Sequence, residues 1–171
     1  MLRTSAPLIG ALGVTRKPVQ YFEPKQMRAF LRRARTVGRD GAEICGLLVD
    51  TKAYLRLVEI RNVSRSPGSF EFSKADVRRT VKAAVTLGFE VVGTFHSHPA
   101  HIAEPGQGDI VGAVDDSLLC ILDCSNSDFA LWHVRSGKAR KIRSSLWAGP
   151  TKGSHPKSPR KRRDEEPQVA N

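Results

Sequence analysis

The stretch that decides the fold is EVVGTFHSHPAHIAEPGQGD, residues 90–109. Its first part alternates apolar and polar residues, which predicts a β-strand over EVVGTFHSH. The alternation places four side chains on one side of that strand: Val92, Thr94, His96 and His98. A loop rich in Pro and Gly follows, and Asp109 opens the next segment. Two histidines on one strand face therefore stand one short loop away from an acid.

Helix and strand signals precede this stretch. EPKQMRAFLRRARTVG (23–38) predicts an amphipathic helix, because its apolar residues recur at helical spacing and its arginines occupy the other face. A solvated face is the favoured interpretation of those arginines, with phosphate contact as the alternative. EICGLLVD (43–50) and AYLRLVEIRN (53–62) predict adjacent strands. SKAD (73–76) resembles a capping box, and the helix after it should run to Gly88. Its expected inward residues are Val77, Val81, Ala84 and Val85.

Three further strands are predicted downstream, in SLLCILD (117–123), DFALWHV (128–134) and ARKIR (139–143). The order of elements predicts an α/β fold, a mixed β-sheet flanked by helices in a single domain. We expect that domain over residues 21–147, after a flexible N-terminal arm (1–20). The segment 148–171 has almost no large apolar residue, so we expect a disordered basic tail.

The composition limits the function classes. The 171 residues carry a net charge of +11, and the three cysteines show no framework spacing. A disulfide-stapled secreted fold is therefore disfavoured, and a reducing, cytoplasmic setting fits better. No apolar run approaches the length of a membrane span, so no membrane partner is expected. The basic tail suggests weak contact with nucleic acid or an acidic partner, although such tails are often only solubilising.

An H-x-H pair on a strand can bind one zinc ion, but the pair alone is weak evidence and fits a half-exposed strand without metal better. A third ligand within reach would favour a metal site over a strand without metal. Asp109 is the best candidate, because the loop can double back and a helix start holds a carboxylate. His101 is the rival candidate. Glu43, next to an apolar strand, is the obvious acid to serve as a general base.

Two other zinc chemistries fit the sequence less well. Cys120, Cys124 and His133 could form a second zinc site, but buried structural thiols are the favoured interpretation, as they are for Cys45. A zinc nucleobase deaminase would need an H-x-E with P-C-x-x-C, which this sequence lacks.

Glu43, HSHP at 96–99 and Asp109 together resemble the JAMM motif of the JAB/MPN metalloproteases. AEICGLL, FEFSKAD, GTFHSHP and LLCILD are similar to successive landmarks of that domain. The resemblance implies a cytidine-deaminase-like JAB/MPN fold, Zn²⁺ bound by His96, His98 and Asp109, and Glu43 as general base. It implies no organic cofactor. It also implies a metallopeptidase that hydrolyses a peptide or isopeptide bond, with a ubiquitin-like or other protein as substrate.

One position departs from the family pattern. Gly106 stands where the family has a serine that helps to hold the water or the developing oxyanion. Losing one such donor can lower a rate by about 10²- to 10³-fold. A variant active site is the favoured interpretation, with the Gly106 N–H or the Ser97 hydroxyl as substitute donors. The alternative is a weak or inactive scaffold that binds a partner through the basic tail. The oligomeric state stays open.

Overall fold

The structure, a computed structural model, describes residues 20–100 and 102–146. Apart from Gln20, the expected arm and tail lie outside these residues, and so does His101. The helices are α1 (Pro24–Gly38), α2 (Lys74–Thr86) and α3 (Gln107–Gly112). The strands are β1 (Gln20–Phe22), β2 (Cys45–Asp50), β3 (Leu55–Ile60), β4 (Glu90–His98), β5 (Ser117–Asp123), β6 (Asp128–Arg135), β7 (Lys138–Ile142) and β8 (Ser144–Leu146).

Both long helices begin where the sequence predicts. Glu23 caps α1, because its carboxylate accepts hydrogen bonds from the N–H groups of Lys25 and Gln26. Met27 and Ala34 on the apolar face of α1 are buried. The Ser73 side chain caps α2.

One prediction for α2 is wrong, because Val85 does not face inward. Ala84 is 5% exposed, whereas Val85 is 66% exposed. Successive helical residues are turned by about 100°, so Val85 points away from the sheet that covers its neighbour. Val77 and Val81 are half-buried.

The strands form one mixed sheet in the order β7-β6-β5-β4-β2-β3-β1-β8, which confirms the predicted fold class. β4 lies at its middle, antiparallel to β2 and parallel to β5. Two pairs of neighbouring strands, β4 with β5 and β2 with β3, approach closely at a glycine. A Cβ on Gly93 would lie 1.8 Å from the Leu118 carbonyl oxygen, and one on Gly46 would lie 2.1 Å from that of Val58. Only glycine fits at either position, which explains why both occur inside strands.

The sheet closes on itself. β7 and β8 end the strand order on opposite sides, yet only Arg143 separates them along the chain. Two consecutive Cα steps span at most about 7.6 Å, so the end of β7 lies next to the start of β8. The rings of Phe22 on β1 and Phe129 on β6 accordingly meet edge to face, with centroids 5.2 Å apart.

The main apolar cluster joins α1 to the sheet and includes Leu48, Phe95 and Leu122. A smaller one is built on Leu119, Ile121 and Val134. Side chains of the loop after β4 and of α3 pack on the smaller cluster: Ala103, Ile110 and Ala113. This packing fixes the loop that follows His98. In the described part of the chain, no helix has the length and apolar character needed to cross a membrane.

Candidate metal centre

Three side chains predicted as ligands meet at the end of β4. The Nε2 atoms of His96 and His98 are 2.9 Å apart. Asp109 Oδ1 lies 3.2 Å from His96 Nε2, and its Oδ2 lies 3.5 Å from His98 Nε2. The donor atoms all fall within 4.8 Å of one another, and this is the one such group among the described residues. The group could hold a metal ion.

The His98 ring is oriented by the backbone. Its Nδ1 lies 3.0 Å from the Ile102 carbonyl oxygen, which can only accept, so Nδ1 carries the hydrogen. The other ring nitrogen, Nε2, points toward His96 and Asp109, and it offers a lone pair to a metal when the ring is neutral. A carbonyl that fixes the tautomer in this way is a common support for a metal-binding histidine.

His96 is fully buried and packs against Phe70, with ring centroids 4.6 Å apart and an interplanar angle of 25°. Burial lowers its pKa, which favours the neutral imidazole that a metal needs. Its Nδ1 has no hydrogen-bond partner among the described residues. Burial acts to lower the pKa of His98, but its hydrogen bonds to Asp109 and Ile102 outweigh burial and raise that pKa, so a metal would have to displace a proton there. Two imidazoles and a carboxylate are a donor set that zinc prefers, so the residues fit that ion.

Asp109 reaches the histidines because α3 begins beside them. Its Oδ2 accepts the Gly106 N–H at 2.7 Å, across the first turn of α3. Burial acts to raise the Asp109 pKa, but the hydrogen bonds with His96 and His98 outweigh it and hold that pKa below its usual range. The carboxylate is therefore ionised at neutral pH.

Glu43 shares a cleft of about 1020 Å³ with His98 and Asp109. It lies two residues before β2, not within the strand, and is 7% exposed. Asn62 Nδ2 donates to its carbonyl oxygen at 3.0 Å. Burial raises the pKa of Glu43 to about 7, an effect that the nearby Asp109 charge reinforces and His98 opposes. A carboxyl group with this pKa can both accept and release a proton near neutral pH.

The two substitutes considered for the missing serine hydroxyl are engaged elsewhere. The Gly106 N–H donates to Asp109, as described above. Ser97 is fully buried and alternates with the histidines along β4, so it points to the other face of the sheet. Its hydroxyl accepts the Ile44 N–H at 3.0 Å. Ser97 therefore supports the backbone next to Glu43 and does not face the cleft.

The second zinc site considered from the sequence does not form among the described residues. Cys120 and Cys124 are buried free thiols, and His133 Nε2 instead pairs with Asp116 Oδ1 at 2.8 Å. His101, the rival ligand, lies outside the described residues.

Trp132 is a supporting residue that the sequence did not single out. Its Nε1–H donates to the Ala103 carbonyl oxygen at 3.0 Å, and its ring packs with the cluster under α3. Ala103 adjoins Ile102, the residue that orients His98. The only signal in the sequence is a tryptophan on a predicted strand, and nothing there indicates which loop it meets.

Comparison with known proteins agrees with the fold and with the family that the sequence resembles. A family model for prokaryotic homologs of the JAB domain, Prok-JAB, matches residues 24–143. The chain is 28% identical over 107 residues to a desampylase from Pyrococcus furiosus, covering 62% of this chain and 74% of the relative.

Solved structures are also similar. A protein from Desulfitobacterium hafniense, solved in solution, matches with a TM-score of 0.64 and 23% identity, over 78% of this chain and 96% of that one. A JAB1/MPN domain protein from Archaeoglobus fulgidus matches with a TM-score of 0.44 and 19% identity, over 70% and 93%.

Proposed function

Because the chain belongs to the Prok-JAB family of JAB domains, we propose that it is a zinc-dependent metallopeptidase. The observation that carries this proposal is the convergence of His96, His98 and Asp109 within 4.8 Å, in one cleft with the buried Glu43. The similarity to a protein named desampylase supports a hydrolytic role. The bond is a peptide or isopeptide bond at the C-terminal tail of a ubiquitin-like protein, a substrate class taken from the family resemblance.

His96, His98 and Asp109 would hold the zinc ion. When bound, zinc supplies a Lewis acid that lowers the pKa of a water molecule to about 7. Glu43 would act as general base and then as general acid: its carboxylate accepts a proton from the attacking water and delivers it to the leaving nitrogen. The open cleft lets an extended chain lie beside these groups, and Phe70 and Phe72 line it on one side.

Glu43→Gln tests this role. We expect the variant to keep its zinc and to lose about 10²- to 10⁴-fold in kcat, because general acid–base catalysis contributes that much. The assay is release of a fluorescent amine from a peptide ending in Gly-Gly, with zinc measured on the same samples. Glu71→Gln is the matched control, since Glu71 is an exposed carboxylate of the same cleft. Equal activity in Glu43→Gln and wild type would remove Glu43 from the mechanism.

Gly106 favours a second candidate function, a catalytically weak or inactive scaffold. In that case the domain binds a partner, and residues 148–171 contact nucleic acid or an acidic protein. For either function we propose a cytoplasmic setting, because Cys45, Cys120 and Cys124 are all free thiols.

A further inference from the structure

One face of α1 carries a row of positive charge. Its basic residues are spaced alternately three and four positions apart, which aligns them along one side of a helix. We call these five residues the basic stripe: Lys25, Arg28, Arg32, Arg35 and Arg39. All five are exposed, and the backbone of Arg39 is still helical. The stripe extends over about 21 Å, at 1.5 Å per residue.

The fold makes little use of this charge. Arg33, on another side of α1, is the contrast, because its guanidinium makes a bidentate pair with Glu59. Among the described residues, no member of the basic stripe makes a salt bridge with a carboxylate. Arg35 donates a hydrogen bond to the Ser125 carbonyl oxygen at 3.3 Å.

The nearest acids along the chain stand only at the two ends of the stripe. Glu23 precedes it, and its carboxylate is occupied by the N–H groups of Lys25 and Gln26. Asp40 follows it. The middle of the stripe is therefore exposed, with no acid beside it along the chain and no salt bridge among the described residues.

The stripe ends next to the candidate active site. A Cβ on Gly38 would lie 3.4 Å from Pro99, the residue directly after His98. Gly41, just beyond the helix, lines the same cleft as His98 and Glu43. The Arg39 end of the stripe is therefore the end nearer the cleft.

We propose that the basic stripe docks an acidic surface of the protein substrate while the substrate's tail enters the cleft. This inference rests on the proposed function and adds the charge of the substrate to it. A row of like charges beside a cleft attracts and orients an oppositely charged partner. A single-stranded nucleic acid fits less well, because stacking its bases needs aromatic side chains and the stripe has none.

Two fluorogenic peptides test the stripe. Both end in the same Gly-Gly amide, and they differ only in a preceding segment of about seven residues, either all glutamate or all glutamine. A segment of that length extends as far as the stripe, at about 3.3 Å per residue. We expect a KM about tenfold lower for the glutamate peptide at low salt, and a difference that shrinks as salt screens the charges.

Charge reversal locates the effect. Arg28→Glu/Arg32→Glu should abolish the difference between the peptides and leave kcat on the glutamine peptide unchanged. Lys74→Glu/Lys82→Glu is the matched control, because it makes the same change in net charge at exposed positions of α2. Equal KM values for the two peptides in wild type, or equal losses in both double variants, would overturn the proposal.

Binding separates this inference from the proposed function. Anisotropy of a labelled glutamate peptide measures docking without cleavage. If no peptide is cleaved but the stripe variant loses binding, the docking surface stands and the peptidase proposal fails. A labelled single-stranded DNA is the third probe. If DNA binds more tightly than the glutamate peptide, and only the stripe variant loses it, the surface is a nucleic-acid site and the proposal is wrong.

Discussion

At Gly106 the cleft lacks a hydroxyl where the family has serine, and the backbone there leaves room for one. Gly106 has ordinary extended angles, φ −73° and ψ 169°. A Cβ would meet only Asp109 Oδ2, at 3.5 Å, which is normal contact. The missing hydroxyl is therefore a difference in chemistry and not in backbone shape.

Gly106→Ser should raise activity. A serine hydroxyl adds one donor near the developing negative charge, and such a donor is worth about 10²- to 10³-fold in kcat. The measurement is kcat on a Gly-Gly fluorogenic peptide, with Gly108→Ser as the control for an added serine in the same loop, because nothing lies within 4 Å of a Cβ there. No activity in wild type or Gly106→Ser would support the scaffold instead.

The pKa of Glu43 sets the expected pH dependence. A general base works when deprotonated, so kcat/KM should rise with pH through that pKa. Burial raises it from 4.5 to about 7 without a cation, and a bound cation acts to lower it. The acidic limb should thus fall between these values. Zinc content measured at each pH separates proton uptake by Glu43 from metal loss. An acidic limb above pH 7 with zinc retained would contradict this role.

The motif residues were predictable from sequence because their spacing is local. An H-x-H pair must share a strand face, and a helix start places Asp109 within reach. The Ile102 carbonyl and the Phe70 ring were not predictable, since both meet the histidines through loop conformation. The failure of Ser97 as a substitute donor follows from strand alternation alone, which was visible in the sequence.

At the scale of elements, β6 supports the loop between β4 and α3 through Trp132. The indole N–H donates to the Ala103 carbonyl oxygen, and the carbonyl of the preceding residue, Ile102, orients His98. The ligands His98 and Asp109 flank this loop, so its anchoring affects the geometry of the metal site.

Trp132→Phe should therefore weaken zinc binding by about tenfold. This is the lower end of the loss in metal affinity that follows when a residue supporting a metal ligand is mutated. The ring packing stays while the hydrogen bond is lost, so Tm should change little. Zinc affinity is measured by competition with a chromogenic chelator. Leu131→Ala is the control, because Leu131 is fully buried in the main apolar cluster, which holds no residue of that loop, and its truncation lowers Tm. Unchanged zinc affinity in Trp132→Phe would exclude the positioning role.

The long elements were predicted from sequence and the short ones were not. α1, α2 and β4 have periodic apolar residues over several turns or repeats, whereas β1 and β8 have three residues each. Three residues hold too little pattern to identify a strand. Their pairing is also remote, since Tyr21 lies opposite Ser145. Only the closed sheet brings these segments together.

At the scale of the whole molecule, the fold assembles a site from distant parts. Glu43 precedes β2, the histidines end β4, and Asp109 lies in α3. Because β2 and β4 are antiparallel, with Cys45 opposite His96, the start of β2 and the end of β4 lie at one edge of the sheet. The boundaries of the domain at residues 21 and 147, and the roles of the arm and tail, remain predictions.

Zinc bound by the folded chain is the central claim, and elemental analysis tests it most directly. Purified wild-type protein should contain about one zinc ion per chain, and His98→Ala should lose it. Added zinc should also raise the Tm of wild type and leave that of His98→Ala unchanged, because a ligand that binds only the folded state stabilises it. No zinc in wild type after zinc is supplied, or equal zinc in the variant, would contradict the metal centre.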